Sequence, residues 1–345
     1  MKSGRAPWGE FPNAITNGAL GELDKEAEYQ AAKSGDENAA WALVSNILKD
    51  ETIEAMLNTF KPDQNTLLVP VLAQESLGKN KIPLAIARLL SKQTGLNVSD
   101  AIFQVNHVGR TNKNADSRLV FQPVFEGKVE PCKYILIDDT LTMGGTLAAL
   151  RGHINNNGGQ TIGMMVMCAQ QRSLQLAPSK EILDNIRSKH GNDIEEYWNK
   201  EFGYGISELT HSEAEHVRSI PNAHSLRTRI TQAKYVGGIQ LDEGAATPEE
   251  QKAISLARIT KSLQENHHPK AIIRTERRTA PCRGLIVAET DDFIIQQVND
   301  GSRYFQAHKK EDLPNIPKIG DKPTITYSTK EPLAKIREPK RSLSR

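Results

Sequence analysis

The sequence predicts an α/β fold followed by a small all-β unit, and two observations carry that expectation. Short apolar runs at 67–71, 101–105, 134–137 and 162–169 alternate with segments of helical periodicity, the pattern of parallel strands buried on both faces. Beyond residue 270 short alternating runs separated by turn residues replace that pattern.

From 22 to 60 apolar residues recur three and four apart, as in Ala39, Ala40, Leu43, Val44, Ile47 and Leu48, with Asp36 and Asp50 placed to cap helices. Residues 1–62 form a helical lead-in. Strand 67–71 leads through a polar loop to a helix over 82–93, a strand at 101–105 follows, and 106–131 reads as a long polar segment. Strand 134–137 then runs into Gly144-Gly145 and a further helix, strand 162–169 follows, and 172–232 is helical and highly charged. Domain 63–232 is therefore the α/β unit. Residues 233–269 read as a linker holding one helix, opened by Thr247-Pro248-Glu249-Glu250, a capping box with proline in the first turn. Strands at 284–289, 293–298, 304–308 and 324–327, joined by turns such as Asn299-Asp300-Gly301, make a small β domain over 270–330, and 331–345 is a basic tail.

A chain of 345 residues exceeds the usual length of one domain, roughly 100 to 200 residues. The longest apolar stretch, 66–73, falls far short of the roughly 18 residues that cross a membrane, so no membrane partner is expected. The first thirty residues carry neither a secretory nor a transit pattern, which places the chain in the cytoplasm. Cys132, Cys168 and Cys282 lack the paired spacing of disulfide or zinc sites and read as reduced thiols. Residues 270–345 hold 16 Lys and Arg against 10 Asp and Glu, a net +6 in a chain whose total is +2, which suits weak contact with DNA. His211, His216, His267 and His268 have no metal-ligand spacing, and Trp8, Trp41 and Trp198 read as packing residues.

The most informative segment is Asp138-Asp139-Thr140-Leu141-Thr142-Met143-Gly144-Gly145-Thr146. An apolar strand delivers two consecutive carboxylates at the end where open α/β sheets bind ligands, and a glycine-containing turn then opens a helix. Backbone N–H groups of 142–146 can converge on an anion at that helix N-terminus, with threonine hydroxyls as added donors. The paired acids can accept hydrogen bonds from vicinal hydroxyls beside it, so the ligand is a ribose 5-phosphate. Neither the P-loop nor the dinucleotide glycine fingerprint is present, and a dehalogenase-type phosphatase would need an aspartate where Thr140 stands.

This segment resembles the signature of the type I phosphoribosyltransferases, which bind 5-phosphoribosyl 1-diphosphate on such a strand, acid pair and Thr/Gly turn. Val69-Pro70-Val71 followed by Gly78-Lys79-Asn80 looks like the family's diphosphate loop, particularly that of the ComF-like branch, and 110–118 is similar to its mobile loop. The resemblance implies Mg²⁺, held indirectly through ribose hydroxyls or water at Asp138 and Asp139, and transfer of the phosphoribosyl group to an unidentified base or other nucleophile. It implies Asp138, Asp139, Arg110 and Lys113 as catalytic, with Thr140, Thr142, Met143, Gly144, Gly145, Thr146, Gly78, Lys79, Asn80 and Arg118 binding the donor. Met143 stands where the family usually has a hydroxyl residue, and Thr142 where 6-oxopurine enzymes carry an aspartate. A non-catalytic sensor of phosphoribosyl diphosphate or a nucleotide, associated with plasmid DNA, is the alternative. Residues 284–327 look like the KfrB-type domain of plasmid and mobile-element proteins, and a homodimer is compatible with such a module.

Overall fold

The computed structural model describes residues 4–73, 80–106, 114–239, 244, 246–328 and 332–337. The chain forms two compact units, Met1–Ser219 and Ile220–Arg345.

The first unit is α/β. In chain order it contains β1 (Ile15–Ala19), α1 (Tyr29–Lys33), α2 (Glu37–Ile47), α3 (Asp50–Phe60), β2 (Leu67–Pro70), α4 (Ile82–Thr94), β3 (Asn97–Val98) and β4 (Ile102–Gln104). There follow α5 (Ala115–Val120), β5 (Phe125–Gly127), β6 (Lys133–Leu141), α6 (Gly145–Asn156), β7 (Gln160–Ala169), α7 (Lys180–His190), α8 (Ile194–Phe202) and α9 (His211–Ser219). Five strands form one parallel sheet in the order β1-β7-β6-β2-β3, with β6 at its centre. Side chains alternate along each strand, so Ile135, Ile137, Met165 and Met167 join the core beneath α2, α3 and α4, while Leu136, Met164 and Val166 pack with Leu147, Leu150 and Ile154 of α6. Each such side chain, fully buried, contributes roughly 1.5–3 kcal/mol.

The N-terminal segment lies along α6. Arg151 donates to the carbonyls of Ala6 and Pro7, both at 2.8 Å, and its guanidinium sits 4.6 Å from the Trp8 ring centroid. Gly152 permits the contact, because a Cβ there would fall 2.4 Å from the Gly4 carbonyl oxygen.

Several expectations are corrected here. Strand β1 is unexpected, since Ile15–Ala19 falls in the segment 1–62 expected to be a helical lead-in, and its pairing with β7 is what makes it a strand. The strand expected at 101–105 is β4, which pairs antiparallel with β5 outside the main sheet, and the two-residue β3 takes the edge place beside β2. The segment 106–131, expected to be polar loop, contains α5 and β5. Asp36 caps α2, accepting from Asn38 and Ala39 N–H at 2.9 Å, whereas in α3 Lys49 holds the N-cap position without a side-chain capping bond and Asp50 is the first helical residue.

The second unit comprises α10 (Ala223–Val236), α11 (Pro248–Asn266), β8 (Ile272–Arg274), β9 (Cys282–Arg283), β10 (Ile286–Glu289), β11 (Phe293–Gln297), β12 (Tyr304–Lys309), β13 (Thr324–Thr326) and β14 (Lys335–Arg337). Helices α10 and α11, expected in the α/β domain and a linker, belong to this unit. The expected capping box opens α11: Thr247 Oγ1 accepts from Glu250 N–H at 3.3 Å and Glu250 accepts from Thr247 N–H at 2.8 Å. A four-stranded sheet, β10-β11-β12-β8, packs Phe293, Ile295, Phe305 and Ala307 against Leu256 and Leu263 of α11. Its other face buries Ile286 and Ile294 with Ile325 of the three-stranded sheet β14-β13-β9.

Candidate functional site

Strand β6 runs on through both acids to Leu141, so Asp138 and Asp139 sit within the sheet, 9% and 5% exposed, rather than at an open strand end as the sequence suggested. Alternation sends them to opposite faces. Asp139 points toward α1 and α4, where its Oδ2 accepts from Lys33 Nζ and, at 2.9 Å, from Asn80 Nδ2. Asp138 Oδ1 accepts from the Asp139 N–H at 2.8 Å. Burial pushes the Asp138 carboxyl well above the usual range, and the neighbouring Asp139 charge adds to it. Burial works against the Lys33 ammonium, but the charge and hydrogen bond of Asp139, with the charges of Tyr29 and Asp138, together outweigh it and hold Lys33 above an ordinary lysine.

After Leu141 the chain turns through Thr142, Met143 and Gly144 into α6. Gly144 is the N-cap, left-handed at φ 76°, and a side chain there would also crowd Thr210, Leu141 and Leu176. Gly144 has no side chain to cap α6, so the first N–H groups of the helix are oriented toward the turn. Thr140, Thr142, Met143, Gly145 and Thr146 border a cleft of ≈ 560 Å³ that also takes in Asp138 and Asp139. Lys33, Tyr29, Leu20, Leu23 and Cys168 also line it.

The turn is braced from behind by residues that sequence reasoning missed. Thr210 donates its hydroxyl to the Met143 carbonyl. Thr210 and Glu213 form a reciprocal pair at the start of α9: Glu213 N–H donates to Thr210 Oγ1 at 3.1 Å, and Thr210 N–H to Glu213 Oε2 at 2.9 Å. Glu213 is itself bound by Arg5 through both carboxylate oxygens at 3.0 and 3.1 Å, an ion pair with both side chains 0% exposed. Arg118, on α5, donates Nη1 to Thr142 Oγ1 at 2.8 Å.

Of the site residues expected from sequence, Asp138, Asp139, Asn80, Arg118 and the segment Thr140 to Thr146 are brought together. Gly78, Lys79, Arg110 and Lys113 lie outside the described residues. Lys33 is an addition, and its signal in the sequence was only that of one lysine on a charged helix. Among the described residues no group of three or more His, Cys, Asp or Glu could cage a metal ion. No described helix is long and apolar enough to cross a membrane. Cys132, Cys168 and Cys282 are free thiols, Trp8 and Trp198 are buried, and Trp41 is exposed.

Comparison with known proteins gives three kinds of likeness. Residues 282–331 match the family described as KfrB Domain. Over 231 residues, 67% of the chain, the sequence is 48% identical to Protein TraN of Escherichia coli, covering 51% of that protein. It is 39% identical to an uncharacterized protein of Haemophilus influenzae over 152 residues, 44% of the chain and 34% of the relative. The chain thus spans about half, or less, of the length of these curated relatives. Among solved structures it is similar to a purine phosphoribosyltransferase from Pyrococcus horikoshii, at 16% identity over 35% of this chain and 83% of that one, with a TM-score of 0.23. It is similar also to an adenine phosphoribosyltransferase from Leishmania tarentolae, at 11% identity over 45% and 92%, again with a TM-score of 0.23. A likeness at that score says nothing about activity.

Proposed function

We propose that the first unit binds 5-phosphoribosyl 1-diphosphate and transfers its phosphoribosyl group to a nucleophile. The observation that carries this reading is the juxtaposition on one cleft of the buried acid pair and an uncapped helix N-terminus behind a left-handed glycine turn. The N-terminus of α6 takes the 5-phosphate, with Thr142 and Thr146 as hydroxyl donors. Asp138 and Asp139 accept from the ribose hydroxyls. As the bond from the anomeric carbon to diphosphate breaks and the bond to the acceptor forms, carboxylate charge beside the ring favours the oxocarbenium-like state.

Lys33 enters this scheme with a double role. It holds Asp139 in place, and its ammonium stands in the cleft as a cation for the departing diphosphate. The carboxylates are hard oxygen donors suited to Mg²⁺, yet two of them make no cage, so the ion would draw most of its ligands from the diphosphate, ribose hydroxyls and water. Bound there, Mg²⁺ would supply charge neutralisation for the leaving group. The Leu20, Leu23, Tyr29 and Cys168 end of the cleft offers apolar surface to a flat acceptor.

The KfrB match and the TraN likeness support a protein of mobile-element origin, with the second unit making weak DNA contact. There Arg274 and Arg303 stack on Tyr304 at 4.5 and 4.9 Å, a cationic patch on the sheet. Such contact should weaken with salt at a log–log slope near roughly −0.9 per phosphate neutralised, which gel shifts at several salt concentrations would measure.

The test of the enzymatic reading is diphosphate release from phosphoribosyl diphosphate with Mg²⁺ across a panel of nucleobases and small amines. Release with one acceptor class supports it. Saturable binding with no release under any acceptor would favour the sensor alternative.

A further inference from the structure

A second cavity, of ≈ 680 Å³, lies on the other side of the phosphate turn, walled by α5, the segment after β7, and α9. It shares Arg118, Thr142 and Met143 with the first cleft, but Asp138, Asp139 and Lys33 do not reach it. Its occupant would therefore adjoin the phosphate turn but lie away from the acid pair.

The lining is dense in donors. Arg118 and Arg172 bring guanidinium groups, His211 and His216 imidazoles, and Ser173 and Ser212 hydroxyls 3.3 Å apart. Ser173 is 3% exposed, and His211 Nδ1 is buried with no hydrogen-bond partner among the described residues, although buried polar atoms are ordinarily satisfied. The carboxylate on the wall, Glu215, is held by Arg218 at 2.7 Å, and His216 is held by Asp116 at 2.7 Å. Ala115 and Met143 are the apolar residues of the lining, and no Phe, Tyr or Trp among the described residues lines the cavity. Guanidinium forks with converging hydroxyl donors match the tetrahedral oxygens of phosphate better than an apolar or cationic group.

We propose that this cavity binds a phosphate group carried by a second small ligand, separate from the phosphoribosyl donor. The proposal rests on the donor reading only for the identity of the first site, and the test separates the two. Inorganic phosphate is the probe, titrated calorimetrically into the full chain. The parent should take up two equivalents. The variant Arg172→Gln/Ser212→Ala, which alters one exposed and one half-buried side chain, should take up one and keep its circular dichroism spectrum. Thr146→Val, in the donor cradle, should lose the other equivalent and keep this one.

A parent that binds a single equivalent, lost in Thr146→Val, would overturn the second site while leaving the donor cradle intact. Two equivalents retained in Arg172→Gln/Ser212→Ala would overturn it as well. Retention of both equivalents in Thr146→Val, with one lost in Arg172→Gln/Ser212→Ala, would support the second site and count against the donor reading. Displacement of the Arg172-dependent equivalent by an equal concentration of acetate would overturn the phosphate assignment.

Discussion

In the second unit His308, 1% exposed, lies between Tyr327 Oη at 2.9 Å and Gln296 Oε1 at 3.1 Å, while Gln296 donates to the carbonyls of Gly284 and Pro323. In the first unit Asp138 and Asp139 are buried to a similar depth, yet both are acids, and among the described residues the cation paired with them is Lys33, on Asp139. One cluster satisfies its members within the fold. The other places like charges side by side and leaves them on a cleft, which destabilises the free protein and suits a site completed by a ligand. The buried pair Arg5–Glu213 stands between these cases: it is structural in chemistry, but through Thr210 it fixes the turn that bounds the cleft.

The largest effect should come from that brace. Arg5→Met leaves Glu213 buried without its partner and should lower stability by about 3–5 kcal/mol, read as a drop in denaturation midpoint. If the loss is only a few tenths, the pair does not hold the turn.

The second unit should reveal itself through pH. Burial brings His308 down to about 4 from 6.5. The unfolded chain therefore binds more protons than the folded one between those values, and stability falls as pH drops through that window by roughly 3 kcal/mol. His308→Asn should flatten the pH profile over this range.

A smaller change should follow from Thr210→Val, which removes the cap of α9 and the hydrogen bond to the Met143 carbonyl. The expected losses are about 1 kcal/mol of stability and about tenfold in phosphoribosyl diphosphate affinity. Equal affinity in parent and variant would show that the turn holds its shape unaided.

Smallest is a gain. The Asp138 carboxyl is raised in the folded state, so its ionisation opposes folding above its unfolded value, and Asp138→Asn should stabilise the empty protein by about 1 kcal/mol at neutral pH. That gain should vanish below about pH 4, where the unfolded aspartate is itself protonated. No gain at neutral pH would mean that the pair is not in conflict.

The parts of this comparison visible in sequence were the local ones. Nine consecutive residues, Asp138 to Thr146, hold the acids, the turn and the helix start, so their chemistry could be read without knowing what packs around them. Lys33, Arg5, Thr210 and Glu213 could not be found that way, because each meets the site across more than sixty residues of chain and is of an ordinary surface type. The depth of the acids was hidden for a related reason: the apolar run ends at Ile137, but pairing with β7 continues to Leu141 and keeps them inside the sheet. Strand β1 was invisible because its five residues lack alternation and form a strand only by lying against β7.

The central claim, that the acid pair is held for a ribose, is tested most directly by titrating phosphoribosyl diphosphate with Mg²⁺ into the parent and into Asp138→Asn/Asp139→Asn. Both side chains keep their shape in this variant, and Lys33, a third exposed, can turn to solvent. Saturable binding by the parent and none by the folded double variant is the predicted result. Equal dissociation constants for the two proteins would contradict it.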